Sequence, residues 1–96
     1  MTRVGAGGVV ITRLSKTRRF ERDYARLGDA RVDKTLAALM QNPMPPGVRF
    51  EKLKGRANPD IYTVHVTGNY KISMSIDGST ATLRRLGTHD EVDRAP

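Results

Sequence analysis

Residues 61–86 read IYTVHVTGNYKISMSIDGSTATLRRL, and along them apolar and polar side chains alternate with the period of a β-strand. Two short polar segments, residues 67–69 (TGN) and 77–80 (DGST), interrupt the alternation, and their glycines are typical of tight turns. The pattern therefore predicts three strands, over residues 61–66, 70–76 and 81–86, joined as an antiparallel meander.

The register of the meander follows from the requirement that apolar side chains share one face. A three-residue loop at 67–69 pairs Val64 with Ile72, and it then pairs His65 with Lys71. In the second hairpin, strict alternation places Arg84 opposite Ser73 and would turn Arg85 towards the core, unless a β-bulge lets Arg85 escape. The face opposite the core, here called the polar face, therefore carries Thr63, His65, Lys71, Ser73 and either Arg84 or Arg85.

Upstream of the meander, a β-branched run at residues 9–14 predicts a first strand, and we expect residues 1–8 to form a glycine-rich flexible leader. Apolar residues then recur with the helical period in two groups, separated by Gly28 and a capping Asp29. The two groups are Phe20, Tyr24 and Leu27, and then Val32, Leu36, Leu39 and Met40. We expect one α+β domain over residues 9–96, in which an N-terminal strand, an α-helical hairpin and a three-stranded antiparallel meander form one twisted sheet.

The charge of the chain points to a polyanionic partner. Seventeen Lys and Arg against ten Asp and Glu give a net charge of +7 on 96 residues, and the isoelectric point is near 10.4. The absence of cysteine excludes disulfides and thiolate metal sites, and no apolar run is long enough to span a membrane. We therefore expect a cytoplasmic protein that needs no metal and no cofactor.

The polar face, together with His89, offers the groups that RNA cleavage requires. The 2′-hydroxyl of RNA can attack the neighbouring phosphate, so the protein has only to move protons and stabilise the charged phosphorane. Imidazoles suit the proton transfers near pH 7, and lysine and arginine suit the phosphate charge. His65, His89, Lys71 and an arginine at 84 or 85 meet these requirements.

The order of motifs along the chain resembles the RelE/ParE superfamily of toxin–antitoxin toxins. The resemblance rests on the helical hairpin and proline break, on the segments LKG (53–55) and NPDIY (58–62), and on LGTHDEV (86–92). The ending R-x-G-T-H at 85–89 is similar to that of the YafQ-like branch, and this favours Arg85 over Arg84. Several positions depart from the pattern: Lys71 stands where RelE-like toxins usually have an arginine, Asn69 where the YafQ-like branch has an acidic residue, and Asp93 where RelE-like toxins often have a tyrosine. An upstream histidine of the YafQ-like branch has no counterpart in this sequence.

The resemblance implies a ribosome-dependent endoribonuclease that cleaves mRNA, together with a cognate antitoxin and a toxin–antitoxin hetero-oligomer. The leading hypothesis assigns proton transfer to His65 and His89, and phosphate contacts to Lys71 and Arg85. The basic residues that would hold RNA or the ribosome are Arg49, Lys52, Lys54 and Arg84. The alternatives are a ParE-like DNA gyrase inhibitor that acts by binding, and a module that only binds nucleic acid or a protein partner.

Overall fold

The computed structural model describes residues 9–53 and 59–96. The predicted leader at 1–8 and Lys54 lie outside the described residues. The strands are β1 (Arg13–Lys16), β2 (Glu51–Lys52), β3 (Tyr62–His65), β4 (Tyr70–Asp77) and β5 (Thr80–Thr88). The helices are α1 (Arg18–Leu27), α2 (Arg31–Leu39) and α3 (His89–Arg94), and a 3-10 turn covers Pro46–Val48. The strands form one mixed sheet in the order β1-β5-β4-β3-β2, which confirms the predicted α+β class.

The meander has the register that the apolar alternation predicts. Val64 pairs with Ile72 and His65 with Lys71 between β3 and β4, and Met74 pairs with Leu83 between β4 and β5. A register shift then follows between Ser73 and Met74, so that Ser73 faces Arg85. Arg84 is the additional residue of this bulge, and the predicted pairing of Ser73 with Arg84 is wrong.

The first strand lies later in the chain than predicted. β1 begins at Arg13, where it pairs in parallel with β5, instead of covering residues 9–14. The apolar residue Ile11 is nevertheless in the core, at 1% exposure. The β-branched run therefore marks a buried segment, but strand pairing begins only where the backbone of β5 is within hydrogen-bonding reach.

Both predicted helices are present, although each apolar stripe contains one error. The Thr17 side chain accepts a hydrogen bond from the Phe20 backbone and caps α1, which ends at Gly28 with φ of 60°. Tyr24 is exposed, whereas the carboxylate of Asp23 is buried in α1. Met40 follows the end of α2 and is exposed as well.

The core lies between the helices and the apolar face of the sheet. Its largest fully buried side chains include Phe20, Leu39, Ile72, Met74 and Leu83. Asp29 contributes to the start of α2 as expected, since its carboxylate accepts from the Arg31 backbone, although the capping position itself is Ala30. No helix in the described part of the chain is long and apolar enough to cross a membrane.

The polar face is partly covered, and this covering was not predicted from the sequence. The short helix α3 and the residues after it cross this face, and Val92 of α3 is fully buried against the sheet. Lys71 and Ser73 are buried as a result, at 6% and 0% exposure. The second addition to the predicted fold is the short edge strand β2, whose Glu51 pairs with Thr63.

Candidate active site

The two histidines of the chain lie against each other. The rings of His65, at the end of β3, and His89, at the start of α3, have centroids 4.5 Å apart and meet edge to face at 81°. The backbone N–H of His89 donates to the carbonyl oxygen of Asn69, 3.1 Å away in the β3–β4 loop. This bond holds the first residue of α3 against the β3–β4 loop. Because His65 and Lys71 are paired residues of the same hairpin, the hairpin that fixes His65 also positions His89.

A capping box holds His89 in place. The Glu91 backbone donates to the Thr88 hydroxyl at 3.2 Å, and the Glu91 carboxylate accepts from the Thr88 backbone at 3.0 Å. Hydrogen bonding of the Glu91 carboxylate to the backbone of Thr88, and then to its side chain, favours the charged form and lowers the pKa of Glu91. The turn of chain that carries His89 is therefore fixed by local hydrogen bonds.

Gly87 leaves room for this capping box. A Cβ at position 87 would lie 2.6 Å from the Glu91 carboxylate oxygen that accepts the Thr88 bond. We expect Gly87→Ala to displace that carboxylate and to lower the free energy of unfolding by about 1 kcal/mol, the typical effect of losing a helix N-cap. Urea unfolding measures the loss, and Gly68→Ala is the matched control because nothing lies within 4 Å of its added Cβ. Equal stability of both variants would contradict this role of Gly87.

One nitrogen of the histidine pair lacks a partner. The Nε2 atom of His89 is buried, and no hydrogen bond reaches it from residues 9–53 or 59–96. Buried polar atoms are nearly always bonded, and exceptions concentrate at functional sites. The Thr63 hydroxyl, also on the polar face, is the second such buried atom among the described side chains. Both atoms therefore keep unused hydrogen-bonding capacity next to the histidine pair.

The surroundings of His65 favour its neutral form. Burial lowers the pKa of His65 below its usual 6.5, and the nearby positive groups of His89, Lys71 and Arg49 lower it further. The Glu51 carboxylate opposes this shift. A neutral imidazole at pH 7 can accept a proton, which is what a general base must do.

Lys71 supplies a buried positive charge beside the histidines. Its Nζ donates to Asp93 of α3 at 2.8 Å; the Lys71 side chain is 7% exposed and Asp93 is 47% exposed. Lysine has three N–H donors, so this ion pair leaves others for a phosphate oxygen. Asp93, one of the residues that depart from the family pattern, therefore forms an ion pair with the lysine that faces His65.

Arg85 is held away from the histidine pair. Its Nε lies 3.4 Å from Asp23 of α1, and its Nη1 donates to the Ala95 carbonyl oxygen at 3.1 Å. Arg84 donates through Nε to a terminal oxygen of Pro96, the last residue of the sequence, at 3.3 Å. The predicted site residues therefore fall into two groups. His65, His89 and Lys71 lie together. Arg84 and Arg85 lie where the chain after α3 meets α1.

The remaining predicted binding residues surround the site less closely. Arg49 is exposed, has φ of 53°, and acts electrostatically on His65. Lys52 pairs with Tyr62 across β2 and β3, on the side of the sheet opposite His65, and its Nζ lies 3.4 Å from Asp60. Within residues 9–53 and 59–96, no group of three or more His, Cys, Asp or Glu side chains could hold a metal ion.

Asp23 and Glu91 were not predicted from the sequence. Asp23 stands within the first helical stripe, and no sequence pattern distinguishes it from a solvated helix residue. The role of Glu91 could have been predicted, because Thr88 is followed three residues later by Glu91. This spacing is a capping-box pattern, which indicates the start of a helix. The same pattern would have indicated that a helix begins at His89, but not the surface on which it packs.

Comparison with known proteins relates this fold to bacterial and archaeal toxins. No protein-family model matches the sequence, and no curated protein matches it. A copper-bound mutant toxin from Helicobacter pylori superposes with a TM-score of 0.71 at 22% identity, covering 85% of this chain and 99% of that one. YafQ from Escherichia coli gives 0.68 at 13% identity over 82% of this chain and 94% of YafQ. RelE in the archaeal RelE–RelB complex from Pyrococcus horikoshii gives 0.62 at 18% identity over 82% and 96%.

These similarities confirm the resemblance at the level of the fold. The chain has the fold of RelE-like toxins over most of its length, and it spans nearly the whole of each of these structures.

Proposed function

We propose that this protein is the toxin of a type II toxin–antitoxin system and cleaves mRNA on the ribosome in the cytoplasm. The observation that carries the proposal is the contact of His65 with His89, 4.5 Å between ring centroids, beside the buried Lys71. Two imidazoles beside a cation can supply the proton transfers and the charge stabilisation that cleavage through the 2′-hydroxyl needs. The shared fold with YafQ and RelE supports the same assignment.

The proposed reaction uses no nucleophile from the protein. Neutral His65 takes the proton from the 2′-hydroxyl, and the 2′-oxygen forms a bond to phosphorus. His89, in its protonated form, gives a proton to the 5′-oxygen as the P–O5′ bond breaks. The products are a 2′,3′-cyclic phosphate and a free 5′-hydroxyl. Lys71 faces the negative charge that grows on the phosphorane oxygens, where a preorganised cation has its largest effect.

The pH dependence of cleavage follows from the surroundings of His65. Protonation removes the base, so kcat/KM should fall only as the pH drops through the lowered pKa of His65, with a midpoint below 6.5. NMR titration of the imidazole should give the same midpoint. In His89→Ala this pKa should rise towards 6.5, because the substitution lessens both the burial and the positive charge that lower it. A midpoint above 6.5 in the wild-type protein would exclude His65 as the base.

A cognate antitoxin is the proposed protein partner. The structural relatives include YafQ solved in complex with DinJ and RelE solved in complex with RelB. A chain with net charge +7 is suited to an acidic partner, since opposite charges speed and orient association. The polar face and its arginines give that partner a surface to neutralise.

Induction in growing cells tests the proposed function. We expect the wild-type chain to arrest growth with cuts in translated messages, and His89→Ala to cause neither. Ser75→Ala is the matched control, because Ser75 lies on the same strand as Lys71 but pairs with Thr82, away from the histidines. Growth arrest with intact messages, unchanged in His89→Ala, would instead support inhibition of DNA gyrase by binding.

A further inference from the structure

A small cavity lies at the edge of β5, beyond the residues that pair with β1. Its volume is about 310 Å³, and its lining includes Asp23, Arg26 and Leu27 of α1, Tyr70 and Leu86 of the sheet, and Glu91 of α3. We propose that this cavity, here called the edge cavity, binds the base of a guanine nucleotide close to the cleavage site of the RNA. The inference rests on the proposed function, because the RNA substrate is its ligand.

The charge of the edge cavity favours a neutral ligand. Among the described residues that line it, the carboxylates of Asp23 and Glu91 stand against the one guanidinium of Arg26. Arg26 already lies 3.0 Å from Asp23, and it also acts electrostatically on Glu91. A phosphate would be repelled by the two carboxylates, since like charges a few ångströms apart oppose binding. A nucleobase carries no charge and avoids this repulsion.

The apolar part of the lining suits a flat ring. Leu86 is buried in the wall, and Leu27 and Tyr70 are half-buried and leave part of their surface open. Proteins that recognise single-stranded RNA commonly stack its bases on aromatic and apolar side chains. The volume is at the lower end of the range for ligand sites, about 300 to 1,000 Å³, and so fits one base better than a larger ligand.

The polar groups of the lining differ in how far they are already used. Oδ1 of Asp23 accepts from Arg26 at 3.0 Å, and its Oδ2 accepts from the Leu86 backbone at 3.0 Å. Glu91 is bonded to the backbone and the side chain of Thr88, which takes two of the roughly four acceptor positions of a carboxylate. Arg26 uses one of its five N–H groups on Asp23. Glu91 can therefore accept further bonds, and Arg26 can donate them.

Guanine is the base that matches these two groups. Its Watson–Crick edge presents two adjacent donors, N1–H and the N2 amino group, and the acceptor O6 lies beside them. The two donors suit the Glu91 carboxylate, and O6 suits the Arg26 guanidinium. Adenine and cytosine each present a single amino group next to a ring acceptor, and uracil presents a single N–H between two acceptors. None of these three gives a carboxylate two donors at once.

The edge cavity is close to the histidine site. Gly87 and Thr88 also line it, and His89 is the next residue along the chain. Gly87 pairs with Lys71, so one strand spacing of about 5 Å separates the lysine from the cavity wall. RNA with its cleaved phosphate at Lys71 can therefore place the base of a neighbouring nucleotide in the edge cavity.

Binding of uncleavable RNA tests the proposal. The probes are fluorescent 2′-O-methyl hexanucleotides, which lack the attacking hydroxyl: oligo-U, and oligo-U with one central guanine, adenine or cytosine. Fluorescence anisotropy measures the affinity for each probe. We expect the guanine probe to bind about 10-fold more tightly than the other three, as one bidentate base contact commonly provides. Equal affinity for the four probes, or no binding of any, would overturn the guanine site.

Glu91→Gln removes the group that selects guanine and retains the local fold. Glutamine in this position still completes a capping box, but its amide offers one oxygen in place of two. We expect the preference for guanine to fall below about 2-fold, with the affinity for oligo-U within about 2-fold of the wild type. Glu21→Gln is the matched control, because Glu21 is exposed on α1 and does not line the cavity. Survival of the preference in Glu91→Gln, or its loss in both variants, would overturn the proposal.

Arg26→Gln tests the second contact. The Arg26 side chain is 71% exposed, so its replacement should leave the fold intact. The lost positive charge weakens binding of every RNA, so the measured quantity is the affinity for the guanine probe divided by that for oligo-U. We expect this ratio to fall about 3-fold or more, and to stay unchanged in the control Arg22→Gln, which is exposed on the same helix outside the cavity. An unchanged ratio in Arg26→Gln would overturn the assignment of guanine.

The two proposals fail in different ways. A preference for guanine that depends on Glu91, with no RNA cleavage by the wild type, would leave the edge cavity standing and overturn the nuclease. Cleavage that depends on His89, with equal affinity for the four probes, would do the reverse.

Discussion

Asp23→Ala should destabilise the protein by about 3 kcal/mol, a loss typical of breaking one side of a buried ion pair. The Asp23 side chain is 2% exposed, and its Oδ2 accepts from the Leu86 backbone at 3.0 Å and faces Arg85 at 3.4 Å. Its removal leaves the Arg85 charge, itself 12% exposed, without its partner and leaves the Leu86 N–H unbonded. For a domain of this size the melting temperature should fall by at least about 12 °C.

Asp23→Asn separates the two contributions. The amide keeps an oxygen for the Leu86 N–H but removes the negative charge, so its loss of stability should be smaller than that of Asp23→Ala. Asp33→Ala is the matched control, since Asp33 is an exposed helix carboxylate that accepts from the Tyr24 hydroxyl at 2.7 Å. A loss in Asp23→Ala no larger than that in Asp33→Ala would contradict the role assigned to Asp23.

Asp23 also explains why the register of β5 could be predicted only in part. Apolar residues on one face dictate the pairing from Tyr62 to Leu83, because a slip of one residue would expose the whole core face. The bulge at Arg84 is different in origin. Beyond Lys16, where β1 ends, the edge of β5 is covered by α1, and the Asp23 carboxylate takes the Leu86 N–H. This contact between distant segments leaves no trace in the alternation.

The polar face shows the same limit. Its residues were identified from alternation, and His65 and Lys71 are indeed opposite each other. Its coverage was missed because α3 has only six residues and a single buried apolar side chain, Val92, which is too little for a helical period. The buried state of Lys71 depends on that coverage. A pattern of apolar residues can show which side chains share a face, but not which of them a short segment will bury.

The exposed positions of Tyr24 and Met40 have a related cause. Spacing placed both on apolar stripes, but each lies at the margin of its stripe. Tyr24 has a hydroxyl that bonds to Asp33, and Met40 follows the last residue of α2. Helical periodicity identifies the centre of a buried face better than its edges, because an amphipathic or terminal side chain can reach solvent at little cost.

Single and double substitutions of the histidines should have the largest effect on activity. With purified protein, His65→Ala and His89→Ala should each lower the rate of RNA cleavage about 10²- to 10⁴-fold, the usual contribution of a general acid or base. Because the rings touch at 4.5 Å and act in one reaction, the double variant should be little slower than the worse single variant. Thr82→Ala, on the strand beside Ser75 and away from the pair, should keep the wild-type rate.

Urea unfolding of all four variants must show that they remain folded under the assay conditions. Losses that multiply in the double variant would mean that the histidines act independently, and a rate in either single variant near that of Thr82→Ala would remove that histidine from the reaction.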